Sequence, residues 1–446
     1  MKKAKIFFSV LILTAFLATP GLPNGLNLNS IGTKALAMGG AFVGLADDFS
    51  AIYWNPAGIA HFDQKYFGFY GVDILPTGNY KLSPNIPGVG EFSLVNAETE
   101  RKHYLAGMVA YYHPVTENLV AGLSIYTPSG LGAKWSGADF AVLANNNPSI
   151  KWTSKIGVVT FAPAIAYKVN DQISVGLALN INYGIFDIAT HAGAAEVSGI
   201  PVDLGQYEET MNGWGYGATF GLLYKLNEKV SLGATFRTPS TVKFSGEATI
   251  SGMPLLGANS TSDLDREVTW PMWIAAGVAF RPLDKLVLTG DLQWTQWSKI
   301  DNIETTFKDP FWDVMMSASG DDKRPMNWDD ALQIRVGGEY WINNIAFRAG
   351  FYIDPSPAPD NTMNVLVPNY DYNVFTAGVG YSLNGLQIDF SIEYLIGKER
   401  SIPFSVIPIA APPYFEIVLA DKYETAMPGT YKQKILAPNI SVSYKF

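Results

Sequence analysis

Side chains able to do covalent chemistry are scarce in this chain, and their spacing argues against most of it. There is no cysteine, which removes thiol catalysis, disulfides, thiolate metal sites and a lipoprotein anchor. The histidines are His61, His103, His113 and His191, and no two have the spacing of a metal-binding pair. No Asp-rich loop has the calcium pattern, so neither a metal nor any other cofactor is expected. The nucleophile signature G-x-S-x-G is missing. "STVK" at 240–243 matches S-x-x-K, but it sits in a strand-like stretch without the companion motifs and reads as chance. "GWGYG" at 213–217 lacks the strand–helix context of a dinucleotide loop. The chain does not read as an enzyme.

Two clusters are left. The first is "ADDFSAIYWNPAGI", residues 46–59. Pro56 biases Asn55 toward extended backbone, and the Asn side chain can bond nearby main chain. Ala57 and Gly58 are small enough for close packing. These residues suit either a packed plug or a simple turn into a first strand. An Asn-Pro-Ala box also occurs in water channels, but those use two boxes among membrane-length helices, and this chain has one box and no such helix. The second cluster is "DDKRPMNW", residues 321–328, where Lys323 and Arg324 could meet an anionic ligand or merely be neutralised by Asp321 and Asp322.

The elements that must position these clusters are strands. Hydrophobic residues make up 48% of the chain and charged residues 16%, the latter well below the roughly 25% of soluble domains. Net charge is −9, which argues against nucleic acid. Lys2, Lys3 and Lys5 precede the apolar run Ile6 to Ala18, a secretory signal with cleavage between Ala18 and Asn24. Residues 1–23 are therefore read as a leader, 24–64 as a Gly- and Ala-rich segment with little alternation, and 65–446 as a repeating β region. In "FTAGVGYSLNGLQIDFSIEYL" (375–395), Asn384-Gly385 is a type I′ hairpin signal, and the pairing of Leu383 with Leu386 puts both apolar sets on one face. Around Asn343-Asn344, Leu332, Ile334 and Val336 continue onto the face of Ile345, Phe347 and Phe351, leaving Gln333, Arg335, Glu339 and Arg348 on the other.

Short turns near 170, 227, 283, 343 and 384 alternate with long Pro-, Gly- and Asn-rich connections, and about fourteen strands result, an even number as expected for an outer-membrane barrel. The strands are about 9–12 residues long, enough to cross a bilayer at a tilt. The chain ends "NISVSYKF", with Ile440, Val442, Tyr444 and Phe446 on one face. The fold class is therefore all-β, a 14-stranded antiparallel transmembrane β-barrel behind a small N-terminal plug. Tyr and Trp in "DLQWTQWSKI" (291–300) and "NGWGYG" (212–217) are expected in an interfacial girdle.

The pattern A-x-x-M-G-G-A-F-x-x-x-A-D-D-x-S-x-x-x-x-N-P-A-G-I resembles the N-terminal hatch of the FadL-type outer-membrane transporters of long-chain fatty acids and other hydrophobic compounds. The similarity continues through "YTPSGLGAKW" (126–135), "NGWGYGATFGLLYKLNEKVSLGATFRTP" and "NWDDALQIRVGGEYWINNIAFRAGFYIDPSPAP" to the last strand. It implies a monomeric barrel plugged by the hatch. A hydrophobic ligand would be captured by extracellular loops and would leave sideways through the wall after a hatch shift and a third-strand kink. By this resemblance Asn55, Pro56 and Ala57 are the hatch motif, Lys323 or Arg324 meets the ligand, and Gly130 and Gly132 lie at or just beyond the end of the kinked third strand. The expected function is passive, ligand-gated outer-membrane transport of fatty acids or aromatic hydrocarbons, with lipid and lipopolysaccharide as surroundings. Two other classes have distinct signatures: a water-filled general porin would pass a large steady ion current, and a lipid-modifying enzyme would lose esterase activity on changing one Ser or His.

Overall fold

The computed structural model describes residues 25–28, 31–86, 88, 90–408, 415–419 and 425–446. The expected leader lies outside the described residues. Alternating runs pair into a closed antiparallel wall of fourteen strands. In chain order these are β1 (Tyr66–Leu82), β2 (Tyr104–Pro114), β3 (Leu119–Trp135), β4 (Trp152–Lys168), β5 (Ile173–His191), β6 (Gln206–Lys225) and β7 (Val230–Arg237). They continue as β8 (Trp273–Leu283), β9 (Leu286–Thr295), β10 (Ala331–Ile342), β11 (Ile345–Asp354), β12 (Tyr372–Leu383), β13 (Leu386–Gly397) and β14 (Gly429–Lys445). Each strand pairs with its sequence neighbours, and β14 closes on β1 from Tyr66↔Lys445 to Lys81↔Thr430. The wall thus has no free outer edge.

Both hairpin registers follow the alternation. Leu383 faces Leu386 and Ile342 faces Ile345, and Phe375, Phe390, Ile334 and Phe347 are exposed on the outer face. In a membrane that face meets hydrocarbon. The inner face is polar and laced with hydrogen bonds: Arg348 Nε bonds Glu339 Oε2 at 2.6 Å and its Nη1 bonds Asp389 Oδ1 at 2.6 Å. This apolar-out, polar-in arrangement is that of a membrane barrel and the reverse of a soluble one.

The segment before β1 cannot be wall, and it fills the lumen. It holds two short helices, α1 (Thr33–Ala37) and α2 (Ala51–Trp54), and a 3₁₀ turn at Pro56–His61. Among the described residues before β1 nearly all are buried.

Several strands are longer than the expected crossing length. β5 has 19 residues and β6 has 20. Their ladders continue above the membrane because the next strands bend instead of ending. After β7, Pro239 interrupts the ladder, and Ser240–Ile250 resumes along β6. Thr261–Trp270 pairs with it, breaks at Pro271, and feeds β8. A missing N–H at each proline explains both breaks. Beyond β9, Asn302–Phe307 joins Thr261–Trp270, and helix α3 (Pro310–Ser319) follows, capped by Asp309 on the N–H of Phe311 and Trp312.

Trp214 and Tyr216 face outward, 49% and 69% exposed, as a girdle requires, whereas Trp297 is fully buried and is no part of one. The strand ends at Thr295, and the 3₁₀ turn that follows swings Trp297 inward, edge-on to Trp328 at 5.3 Å.

Candidate functional site

Asn55 sits at the centre of the plug with no exposed surface. Its extended backbone precedes Pro56, which opens the 3₁₀ turn, and its Oδ1 accepts the Ala57 N–H at 3.1 Å. Its Nδ2 donates twice, to the carbonyl of Val43 inside the segment and to that of Leu222 on β6, both at 2.9 Å. One amide therefore holds the turn, the preceding loop and the wall together. Pro56 and Ala57 lie against the wall at Gly176 of β5 and Gly221 of β6.

That close approach depends on missing side chains. A Cβ on Gly176, Gly221, Gly233, Gly337 or Gly350 would come within 2.0–2.2 Å of plug atoms. Wall side chains complete the docking. Asp291 accepts from the N–H of Phe42 and Val43 at 2.6 and 2.7 Å, and Arg335 donates to the Gly39 carbonyl at 3.0 Å. Ser231 and Thr235 donate to the carbonyls of Gly44 and Trp54 at 2.7 and 2.8 Å.

Charge is placed unevenly in the plug. Burial disfavours the Lys34 ammonium, but Asp47 at 3.0 Å and Glu339 at 3.3 Å outweigh it and raise its pKa. Asp48 has no such cation in contact. Burial pushes its pKa up to about 6, although Ser50 donates both its N–H and its hydroxyl to Asp48 Oδ1. Burial and the neighbouring Lys225 and Lys168 push His61 down to about 4.

The ladder between β2 and β3 is incomplete. β2 and β3 pair from Pro114↔Val120 up to Met108↔Tyr126, and there their ladder stops. On its other side β3 shifts register against β4 between Tyr126 and Ser129, so Thr127 and Pro128 form a bulge. Gly130 and Gly132 lie within β3, not beyond it, and pair regularly with Gly157 and Lys155. At Lys134–Trp135 the edge left open is taken by Thr99 and Glu100 of the connection into β2, and around Ser129 by the start of the described chain. Leu28 donates to the Pro128 carbonyl at 2.9 Å, and Gly130 donates to the Leu26 carbonyl at 3.0 Å. Asn27 is thereby bridged to Ser129. Sequence alone pointed to the glycines; the proline beside them is what breaks the strand.

Above the wall, β5, β6, the three strand extensions and α3 enclose a cavity of about 240 Å³. Phe186, Leu204, Ile303, Phe307 and Met316 supply its apolar lining. Arg266 crosses its floor in a two-point bond to Glu209, at 2.7 and 2.8 Å. The structure separates the two predicted cations. Lys323 is mostly solvent-exposed, with Glu304 at 3.8 Å. Arg324 lines the cavity, and its guanidinium has no hydrogen bond or ion pair among the described residues. Its pKa is lowered by burial, and nearby Arg266 adds to that shift while Glu209 opposes it.

A Ser–His contact does exist where the sequence suggested none. Ser174 Oγ is 3.3 Å from His61 Nε2. It is not a nucleophilic pair. The other imidazole nitrogen faces the Lys225 ammonium at 3.2 Å instead of a carboxylate, and Ser174 is fully buried with its hydroxyl donated to the Ala57 carbonyl. An orienting acid and substrate access are both missing from this contact.

Comparison with known proteins agrees with this geometry over most of the chain. The chain is 24% identical over 438 residues to the long-chain fatty acid transport protein of Escherichia coli K12, covering 88% of this chain and 92% of that one. It superposes on a crystal structure of a Pseudomonas aeruginosa FadL homologue with a TM-score of 0.74, at 16% identity, over 95% of this chain and 100% of that one. The crystal structure of the Ralstonia pickettii toluene transporter TbuX gives a TM-score of 0.67 at 18% identity, covering 94% and 99%. The model of the family described as outer membrane protein transport protein (OMPP1/FadL/TodX) matches residues 14–407, and this chain belongs to that family of outer-membrane transporters.

Proposed function

We propose that the protein carries long-chain fatty acids or similarly hydrophobic molecules across the outer membrane by passive diffusion, and that they leave sideways through the gap between β2 and β3. In this reading residues 1–23 are a cleaved leader, 24–64 the hatch and 65–446 the barrel, working as a monomer among outer-membrane lipids. The observation that carries the reading is the gap itself. It is a break in the β2–β3 ladder, filled around Ser129 by the chain that enters the plug and not by a neighbouring strand. Two main-chain hydrogen bonds hold that filling, a contribution of about 1 kcal/mol each. A ligand that favours the released state by a few kcal/mol would open the route.

Arg324 sets the preferred substrate. An unpaired guanidinium beside an apolar lining suits a carboxylate with a hydrocarbon tail better than a bare hydrocarbon. The relatives include both a fatty acid transporter and a toluene transporter by name, so an aromatic hydrocarbon is the second reading.

The absence of cysteine makes a clean test available. Asn27 and Ser129 form a non-hydrogen-bonded antiparallel pair, a geometry with Cα atoms about 4.5 Å apart that a disulfide can span. The double variant Asn27→Cys, Ser129→Cys should take up labelled fatty acid when reduced and stop when oxidised. Equal uptake in both states removes the lateral route.

A further inference from the structure

The outer face of the wall carries an apolar groove next to a set of cations that have no ion pair among the described residues. The groove, about 500 Å³, runs over β13, β14, β1 and β2. Its floor is Gly71, Gly107 and Pro438, and Phe69, Leu105, Phe390 and Ile440 form its sides. Gly71 faces both Gly107 and Ile440 across the ladders, so the floor is bare backbone. A membrane barrel exposes this face to lipid.

Extracellular to the groove, the outward positions change character. On β14 the outward series reads Ile440, Pro438, Leu436, Lys434, Lys432. Pro438 and Lys434 are four residues apart, roughly 14 Å along an extended strand. On β1 the same series ends in Lys81, and Arg101 and Lys102 are exposed in the bulged connection into β2. Lys432 is matched by Glu399 at 2.7 Å, and Glu100 serves Lys102 and Lys134 at 3.6 and 3.0 Å. Lys81, Arg101 and Lys434 have no ion pair among the described residues. On the far side of the barrel, Lys243, Lys308 and Lys323 each meet an acid. Asp73, the one carboxylate lining the groove, is held by His103 at 2.7 Å.

We propose that this face binds one phosphorylated glycolipid of the outer leaflet. An acyl chain lies in the groove over Gly71 and Gly107, and the headgroup phosphates are met by Lys81, Arg101 and Lys434, with Lys81 four residues further out along the wall than Lys434. Basic side chains at the headgroup level with apolar surface beneath them are how proteins recognise anionic lipid. The bound lipid would stand beside the β2–β3 gap, as a fixed neighbour to whatever leaves there. The inference rests on the membrane placement of the wall and not on the transported substrate, so the disulfide test above can fail without touching it.

The test is native mass spectrometry of the full barrel in mild detergent, titrated with purified lipid A either carrying or lacking its phosphates. Wild-type protein should retain one phosphorylated lipid A per barrel and hold the phosphate-free form at least tenfold more weakly. The triple variant Lys81→Ser, Arg101→Ser, Lys434→Ser should lose the same factor. Gly71→Ile should also weaken retention tenfold by filling the groove, since a Cβ there meets only the Phe69 ring at 3.7 Å and the backbone is undisturbed. Equal retention of the two lipids by wild-type protein, which needs no substitution, overturns the proposal. So does unchanged retention by either variant when its heat-modifiability on gels shows a folded barrel.

Discussion

Replacing Asn55 by Ala should undock part of the hatch and leave the wall intact. The side chain makes two buried hydrogen bonds, to Val43 O and Ala57 N–H, and a part-buried one to Leu222 O. Alanine leaves Val43 O and Ala57 N–H without a mate in a site that has no exposed surface, while Leu222 sits in a strand paired on both sides. A buried group left unsatisfied costs about 1–3 kcal/mol. Some partners will recover water as the loop relaxes, so about 3–4 kcal/mol is a reasonable total, a factor of roughly 10²–10³ in the local opening equilibrium. The effect should be local. Asn55 joins the Val43 loop to the Pro56 turn and to the wall, whereas α1 is held separately: Thr376 donates to the Ala37 carbonyl at 3.0 Å, and Lys34 is tied to Glu339. Amide hydrogen exchange followed by mass spectrometry should therefore show peptides covering 43–58 exchanging at least a hundredfold faster, with peptides over 33–38 and β6 unchanged. Heat-modifiability should be kept, and uptake of a hydrophobic substrate should slow because the hatch no longer starts from one docked position. Exchange within threefold of wild type at 43–58 would refute the reasoning and reduce the Asn-Pro-Ala run to a turn.

The two cations of the 321–328 stretch should part company. Arg324→Ala should weaken binding of a fluorescent fatty acid by roughly tenfold or more, the value of a charge-assisted hydrogen bond of about 1.5–3 kcal/mol; Lys323→Ala should not, and equal losses would show a diffuse charge effect instead of a site. Acidity should act on the hatch with two signs. Asp48 has its pKa raised from 3.8 to about 6, so the hatch bears a cost of at most about 3 kcal/mol above pH 6 that is relieved as pH falls toward 3.8. His61 is lowered from 6.5 to about 4, so the stability of its neutral docked form is lost as pH falls through that window. Asp48→Asn keeps an acceptor for Ser50 and removes the first effect. Hatch exchange, corrected for intrinsic rates, should then accelerate more steeply between pH 7 and 5 than in wild type, and parallel pH profiles would discard the assignment to Asp48.

How much of this could be read from the chain depends on the range of the interactions involved. Hairpin register is local: Asn384-Gly385 and the period-two pattern determine that Leu383 meets Leu386, and the structure has that pair. The polar partners on the inner face are only partly local. Glu339 and Arg348 stand opposite each other in one hairpin, as legible as the leucine pair, but Asp389 comes from β13, and only the side-by-side pairing of β11, β12 and β13 brings it to Arg348 at 2.6 Å. The hatch–wall fit is legible only afterwards. Gly176, Gly221, Gly233, Gly337 and Gly350 look like weak points in their strands, because glycine packs nothing and costs backbone entropy. Each is instead where the plug backbone passes too close for a Cβ. Glycines recurring near the same depth of successive wall strands therefore mark the track of a second chain segment, a signal available from sequence once a barrel has been recognised.

The gap shows the same limit from the other direction. Sequence drew attention to Gly130 and Gly132, yet those residues sit in regular pairing with β4 and the ladder breaks at Thr127–Pro128. Proline lacks the donor that a continuous ladder needs, while its carbonyl stays free to accept. The Pro128 carbonyl accepts from Leu28, and Gly130 donates in return to Leu26. A break that removes one donor from the wall thus leaves a short edge whose remaining groups must find partners elsewhere. They find them in the segment that enters the plug. Closing the wall and seating the N-terminal chain are one hydrogen-bonding problem with one solution. Whatever displaces residues 26–28 must therefore unseat the plug's entry and bare the β3 edge together, so substituting Pro128 by Val should weaken both at once. A Val there restores a donor and lets the ladder to β4 regularise. Faster exchange at the Gly130 amide, with the β3–β4 amides more protected than in wild type, is the expected signature; an unchanged Gly130 amide would mean that the bulge and the capture of the N-terminal segment are independent.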